Sequence, residues 1–306
     1  MLDAISQVVV GKDDVIRLCL AALMANGHVL LEDVPGVGKT RLVRALAKSL
    51  QCQFKRIQFT PDLLPSDVTG TEIYNRKTEQ FEFRKGPIFA QIVLADEINR
   101  TSPRTQSALL EALEEHTVSC DGVTHELPSP FFVLATQNPI EYEGTYTLPE
   151  AQLDRFLMKL TLGYPTPEEE RCVLMQGLSG LGIDAIEPVV GSPEIAQWRR
   201  AVAEVTVDES IYDYLVELIT KTRNHPKVYL GVSPRGGVAL AKVAQAFALL
   251  EGRSFVIPDD IKRLLVPVLG HRLILHPKAQ LQGLNAAMVI AQIAGETPVP
   301  VAAMRR

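Results

Sequence analysis

The chain is poor in cysteine, with four among its 306 residues. They are Cys19, Cys52, Cys120 and Cys172, and no two of them form a C-x-x-C pair. Pairs with that spacing are typical of zinc sites and of thiol redox motifs. The cysteine pattern therefore argues against both kinds of site and favours free thiols in a reducing compartment.

Long apolar runs are also lacking. The longest, Leu18 to Ala25, is far shorter than the ~20 residues of a helix that spans a bilayer. The N-terminus carries Asp3 and has no basic segment before an apolar stretch, so it does not resemble a signal peptide. We therefore expect a soluble, cytoplasmic protein with no membrane insertion.

An excess of positive charge is the third absence. The net charge is −5, from 31 Lys and Arg against 36 Asp and Glu. No global basic field therefore predicts nucleic acid as a partner. A short segment with Arg76, Lys77, Arg84 and Lys85 leaves a local basic surface open.

Residues 33–40 have the sequence DVPGVGKT, between an apolar run and a helical pattern. A loop that leads from a strand into a helix directs free N–H groups and the positive end of the helix dipole at an anion. We expect the backbone of Pro35, Gly36, Val37 and Gly38 to surround phosphates. Lys39 can reach the β- and γ-phosphates, and the Thr40 hydroxyl can ligate Mg²⁺.

Asp33 departs from the usual form of this loop, which opens with glycine. The first position lies at the end of the strand, furthest from the phosphates. We therefore expect nucleotide binding to survive the difference.

Up to residue 163 the chain alternates short apolar strands with helical patterns, which predicts a parallel sheet covered by helices. The fold class is then α/β, with residues 1–163 as the core domain and residues 164–306 as a smaller all-helical lid. A connecting segment is predicted near residues 177–193 because it is rich in Gly, Pro and Ser. The predicted strands are 29–32, 54–59, 91–95, 131–136 and 158–162; the predicted helices are 14–25, 39–51 and 103–115, then 194–205, 208–223, 234–251 and 258–270.

Two polar segments interrupt the α/β pattern, near residues 72–86 and 117–130. Both have strand-like alternation, and the second contains Asp121-Gly122, a favourable hairpin turn. They are predicted to be β-hairpin insertions, and a long surface loop is the alternative for each.

Polar side chains follow two of the predicted strands. Asp96 and Glu97 end the apolar strand IVLA, and Asn138 follows the strand FFVLA. The carboxyl ends of the strands of an open α/β sheet face the ligand crevice. Asp96 is expected to hold Mg²⁺ through water, and Glu97 to deprotonate the attacking water. Asn138 can bind the γ-phosphate or that water, although asparagine before Pro139 is also ordinary turn chemistry.

Two arginines complete the candidate catalytic set. Arg155 precedes the fifth strand, where it can reach the nucleotide of a neighbouring subunit or pair with Asp154. Arg235 follows Ser233-Pro234, an N-cap and first helical residue, so it lies in a first turn against the helix dipole. An anion opposite Arg235 explains that placement, and we assign it as a γ-phosphate sensor.

Over nearly its whole length the chain resembles the MoxR family of AAA+ ATPases. The strings that carry the resemblance are GVGKT, VLADEINR, LLEALEE, ATQNPIEYEGTYTLPEAQLDRF, GYPTPEEE and SPRG. The resemblance assigns Lys39 and Thr40 to the Walker A motif, Asp96 and Glu97 to Walker B, and Asn138 to sensor 1. It also makes Arg155 the arginine finger and Arg235 sensor 2. It places Val9 and Val10 at the adenine, and it includes two hairpin insertions in the core.

The resemblance further implies ATP and Mg²⁺ as ligands and a self-assembled ring, expected to be a hexamer. The function that it implies is chaperone-like remodelling of a protein substrate, with a von Willebrand factor A domain protein as adaptor. An ATPase subunit of a metal chelatase has the same insertions and site residues. A nucleic-acid motor or loader and a nucleotide switch without turnover are further alternatives, and the intact Glu97 argues against the switch.

Overall fold

The computed structural model describes residues 1–139, 145–179 and 182–300 of the chain. Three parts of the predictions lie outside these ranges: residues 140–144 of the long family string, 180–181 of the connecting segment and 301–306 of the lid. The described chain forms two compact units. Of the described residues, 1–19, 28–139, 145–155, 160–179 and 182–196 form one unit, and 20–27, 156–159 and 197–300 form the other. The domain boundary predicted after residue 163 stays a prediction.

The elements follow one another in an α/β order. Their bounds are α1 Leu2–Ser6, α2 Asp13–Met24, β1 Val29–Glu32, α3 Lys39–Ser49, β2 Phe54–Gln58, α4 Pro65–Thr69, β3 Gly70–Asn75, β4 Gln80–Lys85, β5 Ile92–Asp96, α5 Pro103–Glu115, β6 Thr117–Cys120, β7 Val123–Glu126, β8 Phe132–Gln137, α6 Glu150–Leu153, β9 Met158–Leu160, α7 Pro167–Ser179 and α8 Ser192–Glu204. They continue with α9 Glu209–Asn224, β10 Val228–Leu230, α10 Pro234–Leu250, α11 Pro258–Leu269, β11 Ile274–Leu275, α12 Pro277–Leu281 and α13 Ala286–Glu296.

A five-stranded parallel sheet has the order β2-β5-β8-β1-β9, which confirms the predicted α/β class. All residues of β5, and all of β8 except its last, are buried, as expected for strands covered on both faces. The registers pair Gln58 with Asp96 and Glu32 with Gln137. The carboxyl ends of four neighbouring strands therefore meet at one edge of the sheet.

Both interruptions of the α/β pattern are antiparallel pairs. β3 pairs with β4 over their whole length, and β6 pairs with β7 across the turn at Asp121-Gly122. Asp121 and Gly122 both have positive φ, at 48° and 82°, as a tight hairpin turn requires. The two segments are therefore hairpins and not extended surface loops.

Helix boundaries follow local chemistry. Ser102 caps α5 by accepting a hydrogen bond from the N–H of Thr105, and Pro103 occupies the first helical position. In the second unit Asp208 and Ser233 cap α9 and α10 through side-chain oxygens in the same way. The starts of these helices are thus encoded by single residues.

The second unit contains a short element that helical periodicity did not predict. β10 and β11 form a two-stranded antiparallel pair, so this region is not helical throughout. Each strand has three residues or fewer, which is too short for an alternation to be recognised. Helices α12 and α13 were also not predicted.

His271 lies buried in the core of the second unit. Its Nε2 lies 3.0 Å from the carbonyl oxygen of Phe156, to which Arg272 also donates. Burial, and next the positive charge of Arg272, lower the pKa of His271 to about 3. The imidazole is therefore neutral near pH 7, and His271 has a structural position in the core.

Candidate active site

The loop before α3 has the backbone geometry of an anion cradle. Gly36 and Gly38 have φ values of 86° and 94°, in the left-handed region that glycine adopts without strain. A Cβ at either position would meet no atom within 4 Å, so both glycines border open space. Gly38 is the N-cap of α3 and Lys39 begins the helix, which directs the free N–H groups of its first turn toward that space.

The first residue of the loop is firmly bound to the backbone. Asp33 is nearly buried, and its Oδ1 accepts the N–H of Val34 at 2.9 Å. Its Oδ2 accepts the N–H groups of Leu162 and Gly163, both at 2.7 Å. The Nζ of Lys39 donates to the Asp33 carbonyl oxygen at 2.8 Å. The aspartate therefore fixes the start of the loop to the segment that follows β9.

Replacing Asp33 by asparagine is expected to destabilise the fold. The amide NH₂ group cannot accept, so at least one of its three N–H partners loses its acceptor. An unsatisfied buried donor and the lost charge-assisted bonds cost about 2–3 kcal/mol in free energy of unfolding. Urea denaturation measures this difference directly.

The matched control is Asp184→Asn. The native Asp184 side chain is fully exposed, and its Oδ1 lies 3.5 Å from Nζ of Lys48. A surface pair of this kind contributes about 0–1 kcal/mol. Equal midpoints for the two variants and the native chain would show that the Asp33 carboxylate is not needed for the fold.

Thr136 contacts both acidic residues at the end of β5, the side chain of Asp96 and the backbone of Glu97. Its hydroxyl donates to Oδ1 of Asp96 at 2.6 Å and accepts the N–H of Glu97 at 2.8 Å. Thr136 and Asp96 are both buried. Glu97 has φ 59° and ψ 48°, a left-handed conformation that costs a non-glycine residue about 1–3 kcal/mol. This bond to Thr136 is therefore part of what keeps Glu97 at the edge of the sheet.

Side chains of β2 contact both carboxylates. Arg56 donates to Oδ2 of Asp96 through Nε at 3.0 Å and Nη2 at 2.6 Å. Gln58 accepts from the same Nη2 at 2.6 Å and donates to Oε2 of Glu97 at 2.8 Å. Nη1 of Arg100 lies 3.2 Å from that Oε2. Arg56, Gln58, Arg100 and Thr136 were not predicted from the sequence as site residues.

The glycine loop, Arg56 and the two carboxylates line one cavity of about 400 Å³. The predicted residues that line it are Pro35, Gly36, Gly38, Lys39, Thr40, Asp96, Glu97 and Asn138, and Arg41 and Arg56 line it as well. Its wall therefore combines backbone donors, three cationic side chains, two carboxylates, a hydroxyl and an amide. This set matches the needs of a triphosphate and a divalent cation.

The remaining predicted residues lie elsewhere in the two units. Nε of Arg155 lies 3.4 Å from Oε2 of Glu114, on α5. Arg235 is in the first turn of α10 in the second unit. Val9 and Val10 lie in a turn after α1, where Val9 is buried, and Val37 is in the glycine loop. None of these five is among the described residues that line the cavity.

Three features together define a P-loop nucleoside triphosphatase: a parallel α/β sheet, a glycine loop with a lysine and a hydroxyl at a helix N-terminus, and carboxylates at the neighbouring strand end. Comparison with known proteins agrees with this class. The family profile described as ATPase family associated with various cellular activities (AAA) matches residues 28–158. The AAA lid domain profile matches residues 220–297.

The chain is similar over almost its whole length to several known proteins. A Bacillus subtilis protein named YeaC is 59% identical over 98% of this chain and 94% of that protein. Chaperone MoxR1 of Mycobacterium tuberculosis is 40% identical over 97% of this chain and 80% of its own. A crystal structure from Cytophaga hutchinsonii has a TM-score of 0.91 and 40% identity, over 98% of this chain and 93% of that one.

The chain therefore belongs to the MoxR family of AAA+ ATPases, and it is an ATP hydrolase. The resemblance noted in its sequence strings is confirmed. Among the described residues, no helix is long and apolar enough to cross a bilayer.

Proposed function

We propose that the chain binds ATP with Mg²⁺ in this cavity and uses hydrolysis to remodel or mature a protein substrate. One observation carries the first part: the cavity brings the glycine loop, Lys39, Thr40, Asp96, Glu97 and Asn138 together. Phosphoryl transfer depends on positioning and charge stabilisation. Each of these residues contributes either to positioning or to charge stabilisation.

The loop and Lys39 bind the phosphates. The two glycines keep the cradle free of side-chain atoms, and the ammonium of Lys39 offers a point charge to the β- and γ-phosphates. Thr40 and Asp96 hold Mg²⁺ because hydroxyl and carboxylate oxygens are its preferred ligands, Asp96 acting through a bound water. When bound, Mg²⁺ neutralises charge on the β- and γ-phosphate oxygens.

Glu97 and Asn138 act on the attacking water. The carboxylate of Glu97 accepts the proton of that water, and the amide of Asn138 orients the water or the γ-phosphate. Gln58 and Arg100 both contact Oε2 of Glu97, so Oε1 is the oxygen that we assign to the water. Arg100 and Gln58 are positioning residues in this scheme.

The remaining roles involve other parts of the assembly. We propose a ring of identical subunits, a hexamer, in which Arg155 reaches the nucleotide of the next subunit. Arg235 of the second unit acts as the γ-phosphate sensor, and Val9 and Val10 contact the adenine. The partner is a von Willebrand factor A domain protein that delivers the substrate, and the site of action is the cytoplasm. These roles rest on the family and on the sequence pattern.

The phosphate-binding part is tested with Lys39→Ala. We expect this variant to lose ATP binding and hydrolysis while it stays folded, because Lys39 lines the cavity. Its unfolding midpoint should fall slightly, since the hydrogen bond to the Asp33 carbonyl oxygen is lost. Equilibrium binding of ATP and phosphate release are the measurements. Native binding by Lys39→Ala would contradict the placement of the phosphates.

A further inference from the structure

Arg56 carries an interaction that the proposed reaction does not use. It lies in the middle of β2, an edge strand of the sheet, and its guanidinium places two donors on one oxygen of Asp96. The other oxygen of Asp96 accepts from Thr136. Both oxygens of the carboxylate that we assign to Mg²⁺ therefore have protein donors.

The two partners differ in how firmly they are held. The side chain of Asp96 is 10% exposed and that of Arg56 is 48% exposed. The hydroxyl of the buried Thr136 binds Oδ1 of Asp96, whereas Arg56 reaches Oδ2 from β2, the edge strand next to β5. A nearly buried carboxylate without a cation is costly. The arrangement gives Asp96 a cation that can leave toward solvent.

We propose that Arg56 is a positioning residue that neutralises Asp96 in the metal-free protein and gives way when Mg²⁺ arrives with the nucleotide. The proposal rests on the proposed function of this cavity. The guanidinium repels the divalent cation, and its two donors occupy Oδ2, the oxygen that a metal-bound water would otherwise use. The apparent affinity for Mg²⁺ is then the intrinsic affinity multiplied by the fraction of Asp96 that is not paired with Arg56.

The same guanidinium connects the metal ligand to the general base. Nη2 of Arg56 donates to Oε1 of Gln58, and Nε2 of Gln58 donates to Oε2 of Glu97. When Arg56 leaves Asp96, the bond from Nη2 to Gln58 is the one that is strained or lost, and the donor bond of Gln58 to Glu97 is made by a different atom. The residue that positions the base is thus linked to the state of the metal ligand.

The test measures the Mg²⁺ requirement of nucleotide binding, without turnover. N-methylanthraniloyl-ADP binding is followed by fluorescence at increasing MgCl₂ and constant ionic strength, for the native chain and Arg56→Gln. The Mg²⁺ requirement is the MgCl₂ concentration that gives half of the metal-dependent gain in ADP affinity. We expect it to fall about fivefold in Arg56→Gln, because a charge-assisted pair with one exposed partner has a modest strength.

Two further variants separate the pair from general electrostatics. Lys55→Gln removes the same charge from the adjacent residue, whose side chain points to the opposite face of the strand, and should leave the Mg²⁺ requirement unchanged. Arg56→Lys keeps the charge but loses the second donor, and should lower the requirement about twofold. In an Asp96→Asn background, Arg56→Gln should have no further effect.

An unchanged or raised Mg²⁺ requirement in Arg56→Gln would overturn the proposal. Weaker ADP binding in EDTA together with an unchanged requirement would make Arg56 a phosphate ligand instead. If the native chain binds the labelled ADP with Mg²⁺ and Arg56→Gln shows no shift, the failure concerns Arg56 alone. If the native chain binds no nucleotide with or without Mg²⁺, the proposed function fails as well.

Discussion

Glu97→Gln is expected to lower ATP turnover by a factor of about 10²–10⁴ while ATP binds at least as tightly as in the native chain. The amide cannot accept the proton of the attacking water, so the step that needs a base is lost. Glutamine keeps the shape of the side chain and an oxygen that accepts from Gln58, which is 2.8 Å away in the native chain. Phosphate release and equilibrium ATP binding, measured on the same preparation, separate chemistry from binding.

Glu111→Gln is the matched control, because Glu111 is an exposed residue of α5 away from the cavity lining. It should hydrolyse ATP at the native rate. Turnover by Glu97→Gln at that same rate would show that another group acts as the base.

Arg155→Ala is expected to bind ATP normally and to lose turnover by a factor of about 10³–10⁵. That range corresponds to roughly 4–7 kcal/mol of transition-state stabilisation. In the single chain Arg155 pairs with Glu114 at 3.4 Å and its side chain is 31% exposed. The guanidinium is thus partly accessible from outside, as a group that serves a neighbouring subunit must be.

Mixing Arg155→Ala with Glu97→Gln tests whether the arginine acts between subunits. In a mixed ring an intact Glu97 from one variant meets an intact Arg155 from the other, so part of the turnover should return. Mixing Arg155→Ala with the double variant Glu97→Gln/Arg155→Ala supplies no arginine and should restore nothing. Absence of rescue in the first mixture, with assembly verified by light scattering, would contradict an action in trans.

The sequence predicted the sheet and the main cavity residues because both depend on local patterns. The buried strands are continuous apolar runs, and a parallel sheet brings their carboxyl ends to one edge. Asp96 and Glu97 could therefore be placed beside the glycine loop without a structure. Their roles in catalysis stay predictions.

The contacts to these carboxylates were not predictable in the same way. Arg56 and Gln58 are polar residues on an edge strand, where exposed polar side chains are ordinary, and only the parallel register of β2 with β5 brings them to Asp96 and Glu97. A signal was available, since Arg56 and Gln58 alternate along the strand and so share one face, and Gln58 lies opposite Asp96 at its carboxyl end. Thr136 gave no signal beyond its place at the end of β8.

Asp33 shows that a departure from a motif can have a structural role that the sequence does not indicate. Two of its three N–H partners follow β9, far along the chain. Its carboxylate takes up three backbone N–H groups, so a glycine at this position would leave buried donors without acceptors. The expectation that nucleotide binding survives the substitution stays a prediction.

The central claim, that ATP and Mg²⁺ bind at the glycine loop and the end of β5, is tested most directly by an experimental structure of Glu97→Gln with ATP and MgCl₂. We predict phosphate oxygens on the N–H groups of residues 36–39 and on Lys39. Mg²⁺ should lie about 2.1 Å from the Thr40 hydroxyl oxygen and contact Asp96 through water, with Arg56 moved off that carboxylate. A triphosphate bound elsewhere, or a metal that contacts neither Thr40 nor Asp96, would contradict the claim.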